Sequence, residues 1–483
     1  MATVSVLTSE GQTINPDGDH QHVFYLGKKR WYVEGEFSLT TREDSLFIEI
    51  RRGLETLPVS VTIYPAEERG KVRDFKLSRW INMQESGYLS GDSHVHFLKT
   101  GEAHLQMQAE DLNVVNILTS DFTNDAGQFT GKLSPVSTEG FYVYVGQEFR
   151  DWQMGHVNYL DLKYIVQPLD VFGGTLFQVG SNPNLVLSPR IEEARRQEAA
   201  VVWAHFTNLP GLESAIAFPL GLVDAVELMT YNDPTKSPSH QTAWDYTDLT
   251  QVEFPALAGM DLYYQYLNAG FRIPITAGTD KMGDNIPVGS NRQYACFEGD
   301  PSYEKWIDGM KSGTGFVTNG PMLTFSVDGH TSGETIDFRD DQTVKVRAKA
   351  VSILPFGRLE VVANGRLVAW EYIENYGKKR DLYKVEMETV ITLRESTWIA
   401  VRVTSLDTPQ MLPRNLTVFA HSNPVYLIRD EKPVHVKASV KYLLDYLRSA
   451  RNWIEHYSSF RDQREKEAAM KYLEKAEKII KEK

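Results

Sequence analysis

Apolar and polar side chains alternate in short bursts along the first 90 residues. The clearest are His22-Val23-Phe24-Tyr25-Leu26, Arg30-Trp31-Tyr32-Val33, Ser45-Leu46-Phe47-Ile48-Glu49-Ile50 and Val59-Ser60-Val61-Thr62-Ile63-Tyr64. β-Branched and aromatic residues at period two, broken by Gly, Pro and charged turns, predict antiparallel strands, and a small β-sandwich over residues 1–90. From Gly91 the texture changes. Short apolar runs at 88–89, 114–118, 141–145, 157–160, 200–203, 225–229 and 273–276 are separated by longer stretches. Of these, 102–112, 189–199 and 254–267 have helical spacing. Strands alternating with helices predict parallel βα units, here seven, closing as a distorted (β/α)7 barrel over residues 91–322. The stretch 301–311, with Tyr303, Trp306, Ile307 and Met310 at helical spacing, is its last helix.

Residues 323–428 return to β texture in Leu323-Thr324-Phe325-Ser326-Val327, Thr343-Val344-Lys345-Val346 and Trp398-Ile399-Ala400-Val401-Arg402-Val403. Leu359-Glu360-Val361-Val362 runs into Asn364-Gly365, a strong hairpin signal. A second β-sandwich is expected there. The tail over 429–483 is helical. Val440, Leu443, Leu444, Leu447, Ala450, Trp453, Ile454 and Tyr457 recur every three or four residues, and Ala469, Leu473, Ala476 and Ile480 form a second stripe. Ser459, with Asp462 three residues on, is a candidate cap. The expectation is a helical hairpin packed on a sandwich or on a second subunit, which makes a homo-oligomer through these helices a candidate assembly.

Residues able to bind a metal stand at the ends of the central runs: His94, His96, Glu148, His156, His205 and Asp280, with Asp121 a further carboxylate. The loops after the strands of a parallel barrel form one face, and functional groups collect there. In extended chain the side chains at i and i+2 point the same way. His94 and His96 can therefore share one ion, and Asp92, on the same side, is placed to orient a ligand as an outer partner. Glu148 ends the run Val143-Tyr144-Val145-Gly146-Gln147, and His156 opens His156-Val157-Asn158-Tyr159-Leu160. His205 closes Val201-Val202-Trp203-Ala204. Asp280 follows Thr276-Ala277-Gly278-Thr279, where small residues admit a close approach of backbone and ligand. Four histidines and two carboxylates make a mixed N/O set that suits zinc, manganese or iron. With two such ions, one lowers the pKa of a water and both stabilise the negative charge that develops in hydrolysis.

Composition narrows the field. With 42% hydrophobic and 24% charged residues, nothing marks the chain as disordered. No run of about 18 apolar residues predicts a membrane span. The start of the chain lacks the basic-then-apolar pattern of a signal peptide, so residence in the cytoplasm and export with a signal removed both stay open. A single cysteine, Cys296, excludes intrachain disulfides and cysteine-rich zinc sites. A net charge of −13 repels nucleic acid and anionic membranes at long range, so neither is expected as a partner. A small-molecule substrate is.

The motifs also resemble a known family. Asp92-Ser93-His94-Val95-His96, Thr119-Ser120-Asp121, Gly146-Gln147-Glu148, Gly155-His156-Val157-Asn158, Trp203-Ala204-His205 and Thr276-Ala277-Gly278-Thr279-Asp280 are similar, in order, to the PHP (polymerase and histidinol phosphatase) superfamily. Within it they look most like the CehA/McbA-like metallohydrolases. The likeness continues through Val288-Gly289-Ser290-Asn291-Arg292-Gln293-Tyr294 and Gly315-Phe316-Val317-Thr318-Asn319-Gly320-Pro321. The resemblance implies a (β/α)7 barrel with up to three metals at the strand ends. By position, His94, His96, Glu148 and Asp280 would hold one ion, and Glu148, His156 and His205 its neighbour, with Glu148 bridging. Two departures matter: Phe122 and Met282 stand where the family usually has histidines of the third metal site. His104 is a candidate survivor of that site, or a helix-face residue.

One or two divalent ions are therefore expected, not three. The function expected is a metal-dependent hydrolase, of phosphoesterase or carboxylesterase type, acting on a small-molecule carboxylester, carbamate or phosphoester. Glu148 and Asp280 are catalytic candidates, Asp280 as acceptor of the water's proton. Lys281 is a third, offering charge to the substrate or to a developing oxyanion. Arg292 and Arg150 are candidates to clamp an anionic group, Arg150 alternatively to hold a loop. Trp152, Phe206, Trp244 and Tyr246 are candidate mouth residues. The alternative is a degenerate barrel retained as a non-catalytic binding or scaffold protein, motivated by the two lost histidines. Nucleic-acid processing is disfavoured, because the chain carries no basic stripe.

Overall fold

The N-terminal alternation builds β1 (Ala2–Thr8), β2 (His22–Tyr25), β3 (Lys28–Val33), β4 (Leu46–Arg51) and β5 (Val59–Ile63), followed by the short α1 (Pro65–Glu68). The strands form one antiparallel sheet in the order β2-β3-β1-β4-β5. Val4, Val6, Ile48 and Ile50 are buried on one face, under Phe37, Leu39, Phe75 and Leu77. That cover comes from connecting segments, so residues 1–90 make a single sheet rather than the expected sandwich. Period two reports that a face is buried, not what buries it. The computed structural model describes residues 1–120, 123, 126–151, 153–169, 186–207, 211–231, 233–235, 259–374, 380–405, 412–413 and 416–483.

The central region carries β6 (Tyr88–Val95), α2 (Thr100–Ala109), β7 (Val114–Thr119), β8 (Tyr142–Asp151), β9 (Gly155–Leu160), α3 (Ser188–Arg196), β10 (Ala200–Trp203), α4 (Ser214–Ala217), β11 (Ala225–Met229), α5 (Gly259–Asn268) and β12 (Ile275–Ala277). Every residue of β7, β10 and β11 is buried, as strands covered on both faces must be. β6, β7 and β8 pair in parallel, as do β10, β11 and β12. β9 departs from the seven parallel units expected: it runs antiparallel to both β8 and β10. The chain between β8 and β9 spans only residues 152–154, whereas a parallel crossover needs about a dozen residues or more. The reversal puts the first residues of β9 on the same rim as the last residues of its neighbours. At the end of β6, Val95 also bridges in parallel to Lys281, just beyond β12.

One face of these strands packs Val95, Ile117, Val143 and Val145 against Ala103 and Met107 of α2. The other gathers Leu89, Val114, Leu118, Tyr144, Leu160, Val202 and Ala225. Next come β13 (Arg292–Cys296), antiparallel to β6, then α6 (Tyr303–Ser312) and β14 (Gly315–Thr318). Tyr303, Trp306, Ile307 and Met310 of α6 fill that second cluster, the stripe read from the sequence. Ser302 caps the helix by accepting from the Lys305 amide, and Gly313 ends it in the left-handed region at φ 67°.

Beyond lie β15 (Met322–Val327), β16 (Thr335–Phe338), β17 (Gln342–Ser352), β18 (Arg358–Ala363), β19 (Arg366–Tyr372), β20 (Tyr383–Leu393), β21 (Thr397–Thr404), β22 (Ala420–Ser422) and β23 (Val425–Arg429). β15, β17 and β20 form a three-stranded sheet. The others extend the central sheet through the β14–β22 pairing. Val344 and Val346 of the small sheet share a core with Leu359, Val361, Ile399 and Val401 of the large one. Asn364 and Gly365 turn β18 into β19 with φ of 47° and 76°, both positive as this hairpin type requires.

The tail forms α7 (Lys437–His456) and α8 (Gln463–Glu482). Asp462, not Ser459, caps α8: its side chain accepts from the Glu465 amide at 3.0 Å. Leu443, Leu447, Ala450, Leu473, Ala476 and Ile480 share one core with Ile216 of α4 and Tyr263, Tyr266 and Leu267 of α5. The hairpin therefore packs on helices of the central region. Its stripe reported a buried face but not the partner. Leu473→Ala is expected to cost about 2–5 kcal/mol, read as a lowered urea midpoint. No helix among the described residues is long and apolar enough to cross a membrane.

Candidate metal centre

His94 and His96 project from the end of β6, whose register shifts between Asp92 and Val95. Their Nε2 atoms lie 2.9 Å apart. The Oδ1 of Asp280, three residues past β12, is 3.6 Å from the first and 3.7 Å from the second. Glu148, from β8, stands beside them: Oε2 is 3.2 Å from His96 Nε2, and Oε1 is 3.9 Å from His94 Nε2. The same Oε1 is 2.9 Å from His156 Nδ1 at the start of β9 and 3.7 Å from His205 Nε2 beyond β10. His156 Nδ1 and His205 Nε2 are themselves 2.9 Å apart. Two groups able to hold a metal ion result, His94/His96/Asp280 and Glu148/His156/His205. All six residues read from the strand ends meet in one place, from five different strands. All are at most 9% exposed.

Hydrogen bonding fixes the tautomers. The Nδ1 of His94 faces Glu227 Oε2 at 3.1 Å, and the Nδ1 of His96 faces the Leu118 carbonyl at 2.9 Å. Both partners only accept, so each Nδ1 carries the proton and each Nε2 presents a lone pair. Two lone pairs 2.9 Å apart repel unless a cation or a proton lies against them. That is the condition of a metal-ligand pair, and the donor set fits one.

Charge points the same way. Burial opposes the His94 imidazolium, but the carboxylates of Glu227, Asp280 and Glu148 outweigh it and raise its pKa to about 10. Burial would also favour a protonated Glu148. Hydrogen bonding and charge from His156, with hydrogen bonds from His205 and His96, prevail and hold its carboxyl well below the usual range. Burial, helped by the charge of His205, takes His156 down to about 4 despite Glu148, leaving the neutral imidazole that a metal needs. The cluster thus attracts positive charge while keeping neutral nitrogens at its edge.

The backbone is held in unusual conformations at two of these residues: φ is 32° at His205 and 44° at Asp280. Left-handed backbone outside glycine is costly and concentrates at functional sites. Gly278 is required by space. A Cβ there would lie 2.5 Å from His94 Cβ and 2.9 Å from Glu227 Oε1, as the run of small residues before Asp280 foretold.

Other expected residues play different parts. Asp92 does not orient an imidazole ring. It accepts from the amides of His94 and Thr279 and the Thr279 hydroxyl, and from the Gly289 amide at 2.8 Å, fixing the backbone that carries His94 and Asp280. Lys281 donates to the carbonyls of Gly283 and Ile286, both at 2.7 Å, so its ammonium braces a loop rather than facing the metal groups. Burial lowers its pKa to about 8. Arg292 is buried and donates to the carbonyls of Gly289, Asp111 and Glu110, so it braces the backbone and is not placed as an anion clamp. His104 meets the Thr138 hydroxyl on an outer helix, away from the centre. Arg150 lies opposite His156 in the β8–β9 register. Phe206 is 1% exposed and packs against Phe218, a core residue rather than a mouth residue. Met282 is 39% exposed. Asp121, Phe122, Trp152, Trp244 and Tyr246 lie outside the described residues.

The residue that sequence reasoning passed over is Glu227. It sits in the middle of the otherwise apolar β11, fully buried, and that contrast was the available signal. No family model matches the chain, and no curated protein matches it.

Proposed function

We propose that the central region is a PHP-type barrel of the CehA/McbA-like kind and that the chain is a metal-dependent hydrolase of a small-molecule ester-type bond. The observation that carries this reading is Glu148 standing between two ligand groups, with Oε1 towards His156 and His205 and Oε2 towards His96. His94, His96 and Asp280 would hold one divalent ion and His156 and His205 another, with Glu148 shared. Zinc, manganese or iron bound there would supply Lewis acidity and an activated water.

The chain's own residues divide the remaining work. Glu227 and the Leu118 carbonyl keep His94 and His96 in the tautomer that leaves Nε2 free. Asp280, whose side chain keeps 13% of its surface against 2% for Glu148, is the more exposed of the two carboxylates and would accept the water's proton. Lys281 and Arg292 hold backbone carbonyls, so stabilising charge on the reacting group would be left to bound ions. This favours a carboxylester or carbamate over a phosphomonoester with its higher charge.

The test is a screen of chromogenic carboxylesters, carbamates and phosphodiesters with metal-loaded protein. Hydrolysis of at least one class is expected, lost on chelation and regained with zinc, manganese or iron. Activity indifferent to chelation would overturn the metal-dependent reading, and none in any class would favour a binding scaffold instead.

A further inference from the structure

We infer that Glu227 is a positioning residue that couples the two metal-binding groups, so that both lose affinity together when it is altered. This deepens the two-ion reading above and rests on it. The Oε2 of Glu227 accepts from His94 Nδ1 at 3.1 Å and from the backbone amide of His205 at 2.9 Å. One oxygen therefore fixes the ring of a ligand in the first group and the backbone of a ligand in the second. That backbone lies in the left-handed region, at φ 32°, and needs an acceptor to hold it there.

The remaining contacts keep this carboxylate in place. Oε1 accepts from the Ser93 hydroxyl at 2.8 Å and the Asn158 amide nitrogen at 2.9 Å, and Oε2 also takes the Thr230 hydroxyl at 3.3 Å. Asn158 Nδ2 lies 3.1 Å from His94 Nδ1 as well, so the two donors converge on the carboxylate side by side. The donors come from β6, β9, the end of β10 and the end of β11. His94, Asn158, the His205 amide and Thr230 each present a hydrogen to Glu227, and the Ser93 hydroxyl shares its one hydrogen between Oε1 and the Ala277 carbonyl, so an ionised carboxylate suits the set. A glutamine must turn its NH2 either against Ser93 and Asn158 or against His94 and His205. In the second case His94 changes tautomer, and its Nε2 gains the proton that blocks a metal.

The test is titration of the full chain, stripped of metal, with cobalt(II), followed by its visible spectrum and by calorimetry. Wild type is expected to take two equivalents. Glu227→Gln is expected to weaken both by about 10–100-fold, the usual cost of losing an outer partner, whereas His205→Ala weakens one only. Asn158→Ala, which loosens Oε1 without removing charge, is expected to weaken both by a smaller factor and guards against a Glu227→Gln protein that does not fold. The inference is overturned if either outer-partner variant, folded by circular dichroism, leaves one equivalent at wild-type affinity. A wild type that binds no cobalt overturns the two-ion reading itself, and the coupling with it.

Discussion

Glu148→Ala is expected to yield a folded protein that retains no metal and hydrolyses no ester. The substitution removes the atoms that stand 2.9 Å from His156, 3.2 Å from His96 and 3.7 Å from His205. It strips a shared ligand from both groups at once. Loss of an outer partner alone costs about 10–100-fold in affinity, and loss of a shared inner carboxylate should cost more at each group. Glu148→Gln separates volume from charge: it fills the same space, yet it presents an amide where a carboxylate is needed and is expected to behave like the alanine variant. The measurements are metal content after dialysis and turnover on the best substrate, with circular dichroism to verify folding. A folded Glu148→Ala protein that keeps its metal and its rate within a few-fold would remove Glu148 from the centre.

Trp306→Ala is expected to be strongly destabilising, costing about 3–5 kcal/mol. The indole is fully buried and fills the space left by Gly91 of β6, where a Cβ would come within 2.3 Å of the ring. Trp306 Nε1 has no hydrogen-bond partner among the described residues, so the loss is one of packing rather than of a polar contact. Urea unfolding followed by circular dichroism should show the lowered midpoint. A change below about 1 kcal/mol would mean that α6 is not the plug of the strand cluster.

Both expectations follow from features already legible in the sequence. The central strands are buried on both faces and read as largely apolar runs, so a polar residue at the end of a run stood out. That contrast located His94, His96, Glu148, His156, His205 and Asp280, which the structure brings into two adjoining groups. The helical stripe Tyr303, Trp306, Ile307 and Met310 was equally plain.

What stayed hidden depends on partners distant in sequence. Glu227 lies inside a run rather than at its end, and its value comes from Ser93, His94, Asn158 and His205, far away along the chain. Lys281 and Arg292 looked like cations near a site. Only the loop geometry reveals that backbone carbonyls take them up. The reversal of β9 turns on the length of one connection, which apolar runs do not report. The N-terminal sheet and the C-terminal hairpin show the same limit: periodicity marked the buried faces, and tertiary packing chose what covers them.

The most direct measurement is the metal content of the purified protein by elemental mass spectrometry, before and after incubation with zinc, manganese or iron and removal of the excess. About one to two equivalents of one ion per chain are predicted, held through gel filtration. Protein that retains none after exposure to each ion would contradict the metal centre and, with it, the hydrolase.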